Sequence, residues 1–185
     1  MDDQAIIDLL WKRSEQAISE LQTKYGRLCC KIAGNILHNS LDAEECVNDT
    51  YLGVWNSVPP QRPNPLLTYV CGITRNLALK KYHASTAVKR NSSYDVALEE
   101  LESCLPAPDT VESALSAAEL TDLLNRFLRA LDQENRVIFL RRYWYCDAIA
   151  DIAARYGLTE SKVRVTLHRT RGKLAAYLQK KGVAV

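Results

Sequence analysis

The residues best suited to chemistry lie near the carboxyl end of the chain, on a basic segment that follows Gly157. Small or apolar residues recur there at three- and four-residue steps and mark the inner side of a helix: Val163, Leu167, Thr170 and Leu174. The outer side then carries Ser161, Lys162, Val165, His168, Arg169 and Gly172, flanked by Arg164 and Arg171. Hydroxyls and cations of this kind bind phosphates and base edges, whereas no carboxylate or nucleophile is spaced with His168 for catalysis. The segment therefore predicts nucleic-acid binding.

The elements that must position this face are two helices joined by a short turn, in residues 147–173. Asp147 is predicted to cap the first helix, which buries Ile149, Ile152 and Ala153. Gly157 permits the left-handed conformation that ends this helix, and Thr159 is predicted to cap the second. This order is typical of a helix-turn-helix, whose second helix enters a DNA groove.

The cysteines form no recognisable metal or redox motif. No CxxC occurs, and no cysteine is grouped with a histidine, among Cys29, Cys30, Cys46, Cys71, Cys104 and Cys146. The sequence also contains no signal peptide and no long apolar run. We therefore expect reduced thiols in a cytoplasmic protein that has no catalytic residues, no metal site and no cofactor.

A second patterned helix is predicted to open at Asp42, with Glu45 placed three residues later as in a capping box. At 100° per residue, its core face carries Cys46, Val47, Thr50, Tyr51 and Val54. The opposite face carries Glu45, Asn48, Asp49 and Leu52, with Trp55 at its margin. An acidic face of this kind can simply face water, but an apolar anchor surrounded by charge is also typical of a protein-binding surface. Both interpretations stay open from the pattern alone.

Residues 58–65 hold four prolines and are predicted to form a stiff loop. The helix predicted over residues 66–82 buries Leu66, Val70, Ile73 and Leu77. Its remaining positions include Tyr69, Arg75, Asn76, Lys80 and Lys81. Aromatic rings stack on bases and cations bind phosphates, so this segment suits single-stranded DNA, although a solvated basic face is the simpler alternative.

Charge is strongly segregated along the chain. Basic residues dominate 71–90 and 155–181, whereas residues 91–122 carry acids and no bases. Because 87–115 is also rich in serine and contains Pro106 and Pro108, it is predicted to be an acidic flexible linker, with a short helix near 97–104. The predicted fold is all-α, with an N-terminal domain over 1–86 and a four-helix C-terminal domain over 116–185, in which Asp132 caps a helix.

Three segments together resemble the sigma factors of bacterial RNA polymerase, of the small two-domain extracytoplasmic-function type. DAEECVNDTYLGVW resembles the polymerase-binding helix of that family, and TYVCGITRNLALKKY resembles its promoter-melting helix. IADIAARYGLTESKVRVTLHRTRGKL resembles the C-terminal motif. The likeness covers nearly the whole chain, with the motifs in the family's order. Val165 and Thr166 stand where Ser and Arg are common, so the family's usual −35 preference does not carry over.

The resemblance implies a factor that catalyses nothing and directs core polymerase to promoters. Its N-terminal sigma region 2 would bind the coiled coil of the largest polymerase subunit through Glu45, Asn48, Asp49, Leu52 and Trp55. The unpaired −10 strand would contact Arg62, Asn64, Tyr69, Arg75, Asn76 and Lys80. Region 4 would read the −35 element through Ser161, Lys162, Arg164, Val165, His168, Arg169 and Arg171. Further expected partners are the flap of the second-largest subunit and an anti-sigma factor, with no membrane insertion.

Two other classes of protein carry a helix-turn-helix or act on DNA, but each would need a further feature. A stand-alone helix-turn-helix regulator would normally carry a dimerisation helix or a ligand domain, because dimers read two half-sites. A DNA-modifying enzyme such as a recombinase would need a nucleophile beside a charge-stabilising cluster. Neither feature is recognisable in the sequence.

Overall fold

The computed structural model describes residues 1–84, 93–102 and 117–183. All regular secondary structure in these ranges is helical, which confirms the all-α prediction. The chain divides into two compact units, Met1–Ser92 and Ser93–Val185. The first unit contains α1 (Asp3–Trp11), α2 (Gln16–Leu37), α3 (Ser40–Ser57) and α4 (Leu66–Ala84). The second contains α5 (Ser93–Glu102), α6 (Ala117–Ala130), α7 (Gln133–Tyr143), α8 (Ile149–Tyr156) and α9 (Glu160–Lys180).

The first unit is built on α2, against which α3 and α4 both pack. Its core is aliphatic, with fully buried side chains at Ile6, Leu10, Leu21, Ile32, Ile36, Val54 and Leu66. The predicted inner face of α3 is buried as expected, at Cys46, Val47, Thr50, Tyr51 and Val54. α1 covers part of the remaining surface of α2 and α4. The described residues contain no helix long and apolar enough to cross a membrane.

The start of α3 differs from the prediction. The helix begins at Ser40, and the Asn39 side chain accepts hydrogen bonds from the backbone N–H groups of Leu41 and Asp42. Asp42 therefore lies in the first turn and not at the N-cap. Its negative charge interacts favourably there with the positive end of the helix dipole. Asn and Asp are equally favourable at an N-cap, and the earlier of the two candidates, Asn39, occupies the position.

The buried side of α4 is also rotated relative to the prediction. Its fully buried positions after Val70 are Cys71, Thr74 and Ala78, whereas Ile73 and Leu77 are only partly buried. Thr74 is tolerated because its hydroxyl donates to the Val70 carbonyl oxygen at 2.9 Å. Small residues on this side allow α4 to pack closely against α3, a preference that a pattern of large apolar residues does not reveal.

The second unit has a mixed aliphatic and aromatic core. It contains Phe127, Ile138, Phe139, Tyr143, Ile152, Val163, Leu167, Leu174 and Leu178. Ala97 of α5 is buried in this core, and Leu101 packs against it. α5 thus belongs to the second unit, although its sequence falls within the predicted linker over 87–115. The predicted helix near 97–104 occurs as α5, four residues earlier, and Cys104 lies outside the described residues.

Three predicted helix ends in the second unit are confirmed, and one is wrong. Asp132 accepts from the N–H of Asn135 at 3.0 Å, and Thr159 accepts from the N–H of Lys162 at 3.2 Å. Gly157 ends α8 with a φ of 64°. Asp147, however, does not cap α8, which has Ala148 at its N-cap and no side-chain capping bond.

The reason for the failed cap is that Asp147 is held in the turn between α7 and α8. Its backbone N–H donates to the Arg141 carbonyl oxygen at 2.9 Å, and its buried carboxylate lies 3.5 Å from the Arg141 guanidinium. Arg142 donates to the Asp147 carbonyl oxygen at 3.2 Å. A partner on the preceding helix therefore replaces the capping interaction.

Candidate functional site

The outer face of α9 is exposed along its whole predicted length. Val163, Leu167, Thr170 and Leu174 are buried on the inner side. The predicted DNA-reading side chains on the other side are all exposed: Ser161, Lys162, Arg164, Val165, His168 and Arg169. Val165 is an exposed apolar residue among polar neighbours, at 44% exposure. A valine in that position suits contact with the methyl group of thymine.

Two cations of this face are already paired with acids of the same unit. The Lys162 ammonium lies 2.7 Å from Glu134, and the Arg164 guanidinium lies 3.1 Å from Glu160. All four side chains are at least half exposed. Exposed ion pairs contribute no more than about 1 kcal/mol, so DNA phosphates can replace these acids at little cost.

Arg171 is the exception among the predicted −35 contacts, because it is engaged inside the second unit. Its guanidinium donates to the Tyr143 hydroxyl at 2.6 Å and to the Glu100 carboxylate at 3.3 Å. Glu100 also accepts two bonds from Arg142, at 2.8 and 3.2 Å, and one from Tyr143 at 2.9 Å. The structure therefore groups Arg171 with this cluster and not with the exposed face of α9.

The cluster around Glu100 is strongly electrostatic. Burial by itself raises the pKa of Glu100, but the hydrogen bonds and charge of Arg142, Tyr143 and Arg171 outweigh it and lower the pKa. Burial raises the pKa of Tyr143, so this phenol stays protonated. Glu100 is consequently ionised at neutral pH and holds α5 onto α7 and α9.

The acidic face of α3 is exposed at Glu45, Asn48, Asp49 and Leu52, with Leu52 at 57% exposure. Trp55 is half-buried, and the guanidinium of Arg13 lies over its ring at 5.3 Å from the centroid. A shallow cavity of about 390 Å³ beside this face is lined by Glu15, Ile18, Asn48, Tyr51, Leu52 and Trp55. The five predicted polymerase-binding residues thus lie on one surface with an apolar centre.

One charge on that face is compensated from α4. The Lys81 ammonium binds Asp42 at 2.8 Å and also binds Glu45. The hydrogen bonds to Asp42 and Glu45 raise the pKa of Lys81, so its ammonium group remains charged. Because Glu45 has this partner, it presents less net charge to a ligand than Asp49 does.

The predicted −10 contacts differ in their exposure and in their partners. Asn64, Asn76 and Lys80 are exposed, whereas Tyr69 and Arg75 are partly buried, and the Tyr69 hydroxyl donates to Gln61 at 2.7 Å. Arg62 turns toward α1, where it pairs with Asp8 at 3.0 Å and lies over the Trp11 ring at 4.5 Å from its centroid. This hydrogen bond to Arg62 is the main reason that the pKa of Asp8 is lowered.

The sequence analysis did not identify three residues that contact the predicted site residues: Trp11, Lys81 and Glu100. Trp11 offered one signal, because an aromatic residue stood at the end of an amphipathic helix, beyond the buried stripe of Ile6, Ile7 and Leu10. Lys81 and Glu100 offered none, since their partners lie on other helices. Within the described residues no group of His, Cys, Asp and Glu could hold a metal ion. The Cys29, Cys46, Cys71 and Cys146 side chains are buried, and Cys30 is exposed.

Two family models match the sequence. One, described as Sigma-70 region 2, matches residues 21–87, and the other, described as Sigma-70, region 4, matches residues 121–174. A direct comparison with curated proteins finds no significant match. A solved structure of CnrH in complex with the cytosolic domain of CnrY is 19% identical and covers 96% of this chain and 97% of its own, with a TM-score of 0.45. The family assignment therefore rests on the two sigma-70 family models.

Proposed function

Because this chain belongs to the sigma-70 family of RNA polymerase sigma factors, with the region 2 and region 4 pair typical of extracytoplasmic-function members, we propose that its two units divide promoter recognition between them. The protein directs promoter-specific transcription. The observation that carries the proposed division is the placement of an exposed acidic and apolar face in the first unit and an exposed basic helix face in the second. Each face suits a different partner.

The first unit binds core polymerase through α3. Leu52 and Trp55 supply an apolar centre, and Glu45, Asn48 and Asp49 supply the polar rim. This chemistry suits a basic helical surface, here the coiled coil of the largest polymerase subunit. Because Asp49 is an exposed acid on this rim, reversing its charge is expected to oppose docking directly.

The loop before α4 and the exposed side of α4 bind the unpaired −10 strand. Arg62, Asn64, Asn76 and Lys80 are exposed, and Tyr69 and Arg75 are partly buried. Amides and cations contact bases and phosphates, and Tyr69 provides an aromatic ring for stacking.

The second unit reads the −35 element through the exposed face of α9. Ser161, Lys162 and Val165 lie in its first turns, where a recognition helix reaches base edges, and Arg164, His168 and Arg169 contact bases or phosphates around them. Arg171 supports this helix from inside the unit. The flap of the second-largest polymerase subunit and an anti-sigma factor are the remaining proposed partners.

In this proposal the factor performs no reaction itself, because polymerase carries out the chemistry. It works in the cytoplasm, where bacterial core polymerase and promoter DNA are found. Its own contributions are docking energy, sequence selection and stabilisation of the opened strand. Neither a cofactor nor a bound metal is required for any of these steps.

Reconstitution with core polymerase tests the proposal. Transcription of genomic fragments, with start sites mapped, is expected to yield a shared pair of upstream elements. The double variant Asp49→Arg, Leu52→Ala is expected to lose core binding, whereas Arg169→Ala keeps core binding and loses −35-dependent initiation. Nanomolar, sequence-specific DNA binding by the chain without polymerase would instead favour a stand-alone regulator.

A further inference from the structure

Arg13 connects the turn between α1 and α2 to the last turns of α3, at Trp55. Its guanidinium lies over the Trp55 ring, 5.3 Å from the centroid, and one of its nitrogens donates to the Trp55 carbonyl oxygen. The residue four positions after Trp55 is Pro59, so the N–H that would normally bind this carbonyl is missing. Arg13 therefore satisfies the backbone of Trp55 and contacts its side chain at the same time.

The backbone at Arg13 has a defined and unusual conformation. Its φ is 54°, a left-handed value that is unfavourable for a residue other than glycine and that surrounding contacts must compensate. The Arg13 N–H donates to the Leu10 carbonyl oxygen at 3.1 Å, and the Ser14 N–H donates to the Leu9 carbonyl oxygen at 3.0 Å. The guanidinium thus extends from a hydrogen-bonded turn that ends α1, although Arg13 itself is exposed.

The position of the Trp55 ring shapes the cavity of about 390 Å³ beside the α3 face. Ile18 of α2 and Leu52 of α3 are further apolar walls of this cavity, and Glu15 and Asn48 are polar residues of its lining. Aromatic side chains contribute a large share of the binding energy of protein interfaces, and a side chain that is already held in place loses less entropy on binding. The orientation of Trp55 is therefore important for any partner that binds this face.

We propose that Arg13 is a positioning residue for polymerase docking, which holds the Trp55 ring as one wall of this cavity while the coiled coil packs against it. The inference rests on the proposed function, since it requires that polymerase binds the α3 face. Arg13 lies before residues 21–87, which the region 2 family model matches. The proposal therefore adds the turn between α1 and α2 to the elements on which docking depends.

The charge of Arg13 allows a test in which positioning and simple electrostatics predict opposite signs. A cation beside an acidic docking face opposes a basic partner, so a purely electrostatic Arg13 would strengthen core binding when its charge is removed. A positioning Arg13 predicts the reverse, and Arg13→Gln is expected to weaken core binding by about fivefold through the loss of the cation–π contact. Lys12→Gln removes one positive charge from the adjacent exposed position and is the matched control, with no loss of binding expected.

The measurement is binding of the labelled full-length chain to core polymerase. Trp55→Ala is expected to weaken binding by about tenfold, and Arg13→Gln should add no further loss in that background, because Arg13 acts through the Trp55 ring. Arg13→Lys keeps a cation for the ring and a donor for the carbonyl, so it should bind within about twofold of the unaltered chain. In a Trp11→Phe, Trp144→Phe background, Arg13→Gln should also make the fluorescence of Trp55 easier to quench with acrylamide.

The outcomes separate this inference from the proposed function. If the unaltered chain does not bind core polymerase, the proposed function itself fails. If it binds, but Arg13→Gln binds equally well or more tightly, the positioning role is wrong. A loss of the same size in the Trp55→Ala background would show that Arg13 does not act through Trp55. Urea unfolding of each variant gives the last comparison, since a loss of binding that only follows a loss of stability would assign Arg13 a purely structural role and would overturn the proposal as well.

Discussion

Lys81 reduces the negative charge that the α3 face, the proposed polymerase-binding surface, presents to a partner. Its ammonium binds both Asp42 and Glu45, so two of the acids on this side of α3 share one cation. Asp49 has no such ion pair among the described residues. Charge on the rim of an interface affects association rate and salt dependence chiefly through its uncompensated part. The acids of this face should therefore differ in their effect on docking.

We expect Asp49→Asn to weaken core-polymerase binding by about fivefold, and Glu45→Gln to weaken it by less than about twofold. The reason is that the Glu45 carboxylate is already paired with the Lys81 ammonium, which offsets much of its charge. Binding of labelled factor to core polymerase at two salt concentrations measures both effects, and the Asp49 effect should shrink at the higher salt. A loss for Glu45→Gln equal to or larger than that for Asp49→Asn would contradict this account.

Glu100 connects α5 to two other helices of the second unit. Its carboxylate accepts from Arg142, Tyr143 and Arg171, and Arg142 is almost completely buried. Removing one member of such a cluster leaves a poorly compensated buried charge, which costs several kcal/mol in fully buried cases. Glu100 keeps 21% exposure, so a smaller cost of about 2 kcal/mol is appropriate here.

Glu100→Gln should therefore lower the stability of the second unit by about 2 kcal/mol at pH 7. The folded-state pKa of Glu100 lies below the ordinary value of 4.5, so its contribution is complete above that value and is lost as the pH falls through the folded pKa. The two proteins should accordingly converge in acid. Urea unfolding in a Trp11→Phe, Trp55→Phe background measures this, because Trp144 is then the remaining tryptophan. A difference that persists unchanged in acid would contradict the assignment.

Contacts of this kind set the limit of sequence-based prediction at single residues. The exposed positions of Lys162 and Arg169 followed from helical periodicity alone. The engagement of Arg171 did not, because it depends on Glu100, which lies 71 residues away on another helix. The same holds for Arg62, whose partner Asp8 lies 54 residues earlier. Side chains long enough to reach a neighbouring helix cannot be assigned to solvent or partner before the packing is known.

At the level of elements, α9 was predicted well because a long amphipathic helix has a strong repeating signal. Its inner stripe, the Thr159 cap and the left-handed Gly157 all occur as expected. Predictions were weaker where polar residues could be satisfied in more than one way, as for the Asp147 cap and the buried Thr74 of α4. Local hydrogen bonds decide those positions, and they depend on the neighbouring helix.

Replacing either of two glycines of the helix-turn-helix by alanine is expected to change the stability of the second unit, but in opposite directions. Gly157 has a φ of 64°, so Gly157→Ala should destabilise the second unit by about 1 kcal/mol. Gly172 lies within α9, and an added Cβ would meet no atom within 4 Å, so Gly172→Ala should stabilise the unit by up to about 1 kcal/mol. The Trp144 fluorescence assay measures both. Two changes of the same sign would show that helix propensity and turn conformation do not control this part of the unit.

At the level of the whole molecule, each unit offers only a small binding surface. In the proposed function, the −35 surface is one exposed face of α9, and the −10 surface is one loop with part of α4. Two weak modules become a strong binder when a common support holds both near their targets, because the second event then proceeds at an effective concentration of about millimolar. In the proposed function core polymerase is that support. The chain alone should therefore bind promoter DNA weakly.

Proteolysis between the two units tests whether their covalent connection is needed for −35 recognition. A protease site inserted within residues 85–92 lies between α4 and α5, so cleavage leaves the Glu100 cluster intact within the second unit. After cleavage of assembled holoenzyme, the second unit competes at its bulk concentration, and −35-dependent transcription should fall to the level of Arg169→Ala. Core binding by the first unit should remain, since its proposed docking face lies on α3. The uncleaved insertion variant is the control, and full −35-dependent activity after complete cleavage would show that the second unit has its own strong attachment to polymerase.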